Sequence, residues 1–201
     1  MQLVLATNND DKIREIKYLL DDLPVTILTR DDFLEFPDVE ETGTTLKDNA
    51  CLKARAIAEF CDLPALADDS GLEVDALGGA PGLYSSRYAG EHVSYRDNNE
   101  KLLAELGEHP QEKRSARFRC VIAIDWNDGT VENMEGIAEG TICADIASDT
   151  GFGYDPLFFF PPSGKRFSDM TVEEKNLVSH RGKALQKART AIMARINRAQ
   201  R

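Results

Sequence analysis

No apolar run in this chain approaches the ~20 residues needed to cross a bilayer, so no membrane partner is expected. The first residues, Met1-Gln2-Leu3-Val4-Leu5-Ala6-Thr7, carry no basic residue and are too few for a signal peptide. They read as a first strand. Cysteine is sparse: Cys51, Cys61, Cys120 and Cys143 make no C-x-x-C pair. Each lies among apolar neighbours, which predicts buried thiols rather than disulfides. These absences point to a cytoplasmic protein. Positive charge is also short, with 24 Lys and Arg against 35 Asp and Glu and a net charge of -11. Duplex nucleic acid wants a basic face, so no nucleic-acid partner is expected. A small polyanion stays open, because a nucleotide needs only a few convergent cations and a metal. The P-loop spacing G-x-x-x-x-G-K-[ST] is absent. So are internal repeats and low-complexity segments. What remains is 201 residues of ordinary globular composition, 42% hydrophobic and 29% charged. That is one large domain or two small lobes, long enough for a sizeable core.

The most informative stretch runs from Ala67 to Arg87. Asp68, Asp69 and Ser70 follow the apolar run Leu63 to Ala67, which reads as a buried strand. They are expected where that strand leaves the sheet, a usual place for chemistry in α/β proteins. Adjacent carboxylates repel and resist burial. A divalent cation relieves both problems, and hard oxygen ligands suit Mg2+. A solvated acidic turn before a Gly/Pro loop is the competing account.

Around it the chain alternates strands and helices. Leu3 to Ala6 leads through Thr7-Asn8-Asn9-Asp10-Asp11-Lys12 into a helix with Ile13, Ile16 and Leu20 on one face. Asn8 or Asn9 can cap it. Its N-terminus and Lys12 would attract an anion, although a solvated turn fits too. A second strand is predicted over Val25 to Leu28. A helix from about Leu46 to Cys61 begins at Thr45 with Asp48 three residues on, a capping-box start. Glu40 and Glu41 precede it and reach the Asp68-Asp69 pair if the helix packs beside that strand. A further helix is expected over Tyr95 to Leu106. Ala116 to Trp126 alternates, and Asn127-Asp128-Gly129 signals a hairpin into a long return strand. Gly151-Phe152-Gly153-Tyr154-Asp155-Pro156 forms an aromatic-glycine loop that offers a ring to a flat ligand or to the core. Lys175, His180, Arg181 and Lys183 gather around the start of a closing helix and suit an anionic ligand.

These blocks, taken in order with Glu40-Glu41-Thr42-Gly43, Gly78-Gly79-Ala80-Pro81-Gly82, Ser85-Ser86-Arg87-Tyr88-Ala89-Gly90 and Glu174-Lys175-Asn176, resemble the inosine/xanthosine triphosphate pyrophosphatases from residue 3 to about 187. The resemblance implies one α/β domain over 1–201, with a long mixed central sheet, flanking helices and two lobes around an active-site cleft. It implies a homodimer and Mg2+-dependent hydrolysis of inosine, deoxyinosine and xanthosine triphosphates to the monophosphate and pyrophosphate. Carried over residue by residue, Thr7 to Lys12 become a substrate loop, including Asn8, Asn9, Asp10 and Asp11. Glu40 becomes a metal ligand, with Glu41 its neighbour. Asp69 becomes the catalytic carboxylate and a metal ligand, with Asp68 second choice as base, and Ser70 a substrate contact. Phe152, Gly153, Tyr154 and Asp155 become the base-binding loop, and Lys175, His180 and Arg181 further substrate contacts. Two positions depart from the family pattern: Asp11 stands where glycine often precedes the loop lysine, and Ser168 where alanine is common.

A triphosphate carries about four negative charges, which phosphoryl-transfer sites meet with metal and cations. Lys12 and Lys175 are expected at the phosphates. Phe152 or Tyr154 would stack on the base. His180 and Arg181 would donate to O6, so that adenine meets them donor to donor. The alternatives are a pyrophosphatase of other altered nucleotides, pyrimidines included, and a non-catalytic nucleotide-binding module.

Overall fold

In the computed structural model, which describes residues 1–147 and 151–199, Leu3, Val4 and Leu5 of the first strand, β1 (Gln2–Leu5), are buried on both faces. Leu3 and Leu5 join one apolar cluster and Val4 and Ala6 another. Side chains alternate along a strand, so this sheet is covered on both sides. The remaining strands are β2 (Thr26–Leu28), β3 (Ala65–Val74), β4 (Ser115–Asp125), β5 (Val131–Ile142), β6 (Phe158–Phe160) and β7 (Lys165–Arg166). The helices are α1 (Asp10–Leu20), α2 (Leu46–Cys61), α3 (Tyr95–Leu106), α4 (Val172–Val178) and α5 (His180–Ala199). The sheet order is β2-β1-β3-β4-β5-β6-β7. It is mixed: β1 runs parallel to β2 and β3, while β6 runs antiparallel to β5 and β7. Among the described residues no helix is long and apolar enough to cross a membrane.

The chain forms two compact units. One comprises Met1–Asp69, Cys120–Gly136 and the chain from Arg181 on; the other comprises Ser70–Arg119 and Ile137–His180. All four crossings fall inside β3, β4, β5 and α5. In the first unit, Leu3, Leu5, Leu66, Ile122 and Ile124 pack with Ile16 and Leu20 of α1 and Leu185, Ala188 and Ile192 of α5. Val4, Ala65, Ala67, Val121 and Ala123 pack on the other side with Ala54, Ile57 and Ala58 of α2. In the second unit, Leu72, Val74, Phe118, Phe158 and Phe167 build a core with Leu102 and Leu106 of α3. Asn127 turns the β4–β5 connection at φ 56°, and Trp126 N–H donates to the Thr130 carbonyl at 3.0 Å.

Two expectations change. The strand expected over Leu63 to Ala67 is β3, and it runs on through Asp68, Asp69, Ser70 and Gly71. Cations from α1, α2 and α5 meet the carboxylates, so the polar residues do not end it. Gly71 also permits a close approach that a side chain would block: a Cβ there would stand 2.4 Å from the Gly82 carbonyl oxygen. The cysteines form no disulfide, but only Cys120 is fully buried, and Cys51, Cys61 and Cys143 are partly exposed.

Candidate active site

Because β3 continues through them, Asp68 and Asp69 point to opposite faces of the sheet rather than lying side by side. Asp68 follows Leu66, on the side covered by α1 and α5. There it meets the Lys12 ammonium at 3.1 Å and Nε of Arg181 at 3.0 Å. Nη1 of Arg181 reaches Glu15 at 2.5 Å. Asp69 follows Ala65 and Ala67, on the side of α2. It meets the Lys53 ammonium at 3.2 Å and the Asn49 amide at 3.4 Å. Lys53 also holds Glu41 at 2.6 Å. The repulsion expected between neighbouring carboxylates is thus relieved by direction, with a separate cation set for each.

The two environments push the acids apart. Burial alone would raise Asp68, but Lys12, Arg181 and Lys53 outweigh it and hold its carboxyl well below the usual range. Asp69 is raised, chiefly by burial and further by Glu41 and Asp68, against the pull of Lys53 and Lys12. Arg181 is raised: Asp68 and Glu15 overcome the effect of burial. Lys53 is raised likewise, burial being outweighed by Asp69 and Glu41. The two carboxyls are thus shifted in opposite directions, Asp68 down and Asp69 up.

The Thr7-to-Lys12 loop is built from its own side chains. Asn9 caps α1, its Oδ1 accepting from the Asp11 and Lys12 N–H groups at 3.0 and 3.1 Å. Thr7 Oγ1 accepts from Asn9 N–H at 3.2 Å. Two N–H groups expected to face an anion are thus occupied, which leaves Lys12 as the loop's cation toward Asp68. Arg30 braces the loop through the Asn8 carbonyl at 2.6 Å and Asp10 at 3.0 Å. Asp11 pairs with Arg14 at 3.2 Å, and an acid suits the first helical turn, so its presence in place of glycine is accommodated. Gly43 lies against the start of α2: its N–H donates to Asn49 Oδ1 at 2.8 Å, and a Cβ would stand 2.5 Å from that oxygen. This contact anchors the acidic segment beside α2. Glu41, not Glu40, shares a cation with Asp69; Glu40 is exposed.

In the second unit the aromatic loop closes on itself. Lys175, buried in α4, meets Asp155 at 2.6 Å and lies 4.3 Å over the Phe152 ring. Asn99 of α3 donates to the Gly153 carbonyl at 2.9 Å. The Tyr154 hydroxyl donates to the Ser85 carbonyl at 2.9 Å, its ring lies in the core, and burial raises its hydroxyl pKa. Of the two aromatics expected to stack on a base, only Phe152 remains partly exposed. Lys175, expected at the phosphates, holds the loop through Asp155 in this structure. His180 stacks on Phe118 with ring centroids 4.6 Å apart. Arg181, expected at a base edge, has Nε and Nη1 committed to carboxylates. Ser70 opens the second unit and is partly buried.

Lys53, Asn49, Glu15 and Asn99 were missed. Asn49 and Lys53, four residues apart beside the Ala50-Ala54-Ile57 stripe, are polar residues on the edge of an apolar face. That pattern was the available signal. Glu41 and Asp69 offer hard oxygens converging on one point, already occupied by a cationic nitrogen, so the donor set suits a divalent cation. Among the described residues no cluster of three or more candidate ligands forms.

A family model described as the Ham1 family matches residues 3–191. A dITP/XTP pyrophosphatase of Desulforamulus reducens is 52% identical over 188 residues, 94% of each chain. One of Geobacter sulfurreducens is 50% identical, covering 92% of each. A solved HAM1 protein from Coxiella burnetii superposes with a TM-score of 0.87 at 41% identity, covering 96% of this chain and 99% of that one.

Proposed function

The chain belongs to the Ham1 family, and from that premise we propose that it hydrolyses deaminated purine nucleoside triphosphates (inosine, deoxyinosine and xanthosine) to the monophosphate and pyrophosphate. One observation supports the mechanism: β3 turns Asp68 and Asp69 to opposite faces, each toward its own cations, and we assign Asp69 as the base. Lys12, oriented by Asp68, meets phosphate oxygens from one face of the sheet, and Lys53 meets them from the other. Asp69 accepts a proton from the attacking water as its oxygen bonds to phosphorus and the bridging bond between the α- and β-phosphates breaks. Pyrophosphate leaves with the electron pair of that bond. Mg2+ would be held by Glu41 and Asp69, with Glu40 adjacent, and when bound supplies charge neutralisation at the phosphates. In the second unit Phe152 stacks on the purine, and Lys175, Asp155 and Asn99 fix the loop that presents it. Stacking does not choose among purines, so choice rests on edge hydrogen bonds from this loop and from His180. Arg181 acts behind Asp68.

We further propose that the protein works in the cytoplasm as a homodimer and as a single catalytic domain. The test is a panel of inosine, xanthosine, adenosine, guanosine and pyrimidine triphosphates assayed side by side with and without Mg2+. Turnover confined to the 6-oxo, deaminated purines and dependent on Mg2+ supports the assignment. Equal turnover of pyrimidines, or binding without turnover, refutes it in favour of one of the two alternatives.

A further inference from the structure

Lys53 holds a place that two carboxylates define. Its ammonium lies 2.6 Å from Glu41 Oε1 and 3.2 Å from Asp69 Oδ1. The other Asp69 oxygen faces the Asn49 amide at 3.4 Å. A cation held by Glu41 and Asp69 would therefore compete with Lys53 for these two carboxylates. Lys53 is nearly buried and its stem is fixed to α2, so its ammonium stays within reach of this site. An ammonium and a divalent ion at one pair of carboxylates repel each other, so each weakens the other's hold. We propose that Lys53 is a tethered counter-ion that stands in for the divalent metal, and that metal binding displaces it. Resting on the functional reading above, this makes Lys53 a positioning residue. It keeps Glu41 and Asp69 together in the absence of metal, and once displaced it needs a new anion. Nucleotide phosphates provide one, so metal and nucleotide favour each other's binding, and the coupling is reciprocal.

The experiment is calorimetric titration of Mg2+ into the nucleotide-free protein, with thermal melting as a parallel readout. Lys53→Met should bind Mg2+ at least tenfold more tightly than the wild type and gain more in melting temperature from added Mg2+. Lys53→Arg, which keeps the charge, should bind as weakly as the wild type. Lys12→Met, which removes the nearby cation on Asp68, should gain much less. Lys53→Gln replaces Lys53→Met if the latter does not fold. Equal or weaker Mg2+ affinity in both neutral variants overturns the proposal, as does an equal gain in Lys12→Met, which would mark a general field effect. None of these readouts requires turnover. An active enzyme whose Lys53 variants gain no affinity sinks this inference alone, whereas an enzyme inactive on inosine triphosphate sinks the functional reading.

Discussion

Replacing Asp68 with asparagine should destabilise the protein by about 3 kcal/mol, the lower end of the ~3–5 kcal/mol that breaking a buried ion pair costs. Asparagine keeps the shape, so no cavity term enters. The side chain of Asp68 is fully buried, and that of Arg181 is 2% exposed, so water cannot replace the lost charge at Arg181. Lys12, at 17%, can be partly rehydrated, and Glu15 still holds the far side of Arg181, which is why the low end applies. With a urea m-value of about 2 kcal/mol/M, the unfolding midpoint should fall by about 1.5 M. The pH dependence has a definite sign. The carboxyl of Asp68 is held below its unfolded value, so its contribution is present above that value and is lost as pH falls toward the folded one. The gap between wild type and variant should therefore be constant near neutrality. Below the unfolded value of about 3.9 it should shrink by about 1.4 kcal/mol per pH unit. Urea melts at pH 7 and pH 3 measure both. A variant within about 0.5 kcal/mol of the wild type at pH 7 would refute the reasoning, because a surface substitution does no more.

Asp69→Asn should lower the urea midpoint less than Asp68→Asn does, since Lys53 loses one carboxylate but keeps Glu41. It should lower kcat by about 10²–10⁴-fold, the range for loss of a general base. Near-normal kcat in the folded variant would move the role to Asp68. Lys175→Met should raise KM more than it lowers kcat, because its partners are Asp155 and the Phe152 ring; steady-state kinetics with inosine triphosphate decide this, and a pure kcat loss would place Lys175 at the phosphates after all. Sedimentation equilibrium at micromolar concentration should return a dimer mass, and a mass near the 22.3 kDa chain would contradict the homodimer.

Helices were readable where local chemistry marks both ends. α2 begins at Thr45 as read, α3 spans the Tyr95–Leu106 expected from its apolar spacing, and Asn9 caps α1 as one of two candidates. The hairpin at Asn127 was equally plain. β3 was not, because Asp68-Asp69-Ser70-Gly71 looks like a turn until the buried cations that satisfy it are known. Those cations come from α1, α2 and α5, and no local pattern announces a contact such as Arg181 with Asp68, 113 residues apart. Lys53 was hidden for the same reason: on a helical wheel it belongs to the polar edge, and only the tertiary fold turns that edge toward Glu41 and Asp69. The resemblance placed Tyr154 and Lys175 at the ligand, but nothing local announced that Ser85 and Asp155 hold them in place. The two units were not legible from local patterning either, since every crossing lies within a continuous strand or helix.

Phosphorus NMR of inosine triphosphate incubated with the protein and Mg2+ tests the central claim most directly. Attack that breaks the bridge between the α- and β-phosphates predicts inosine monophosphate and pyrophosphate in equal amounts, with no orthophosphate at early times. Orthophosphate and inosine diphosphate as the first products would contradict it.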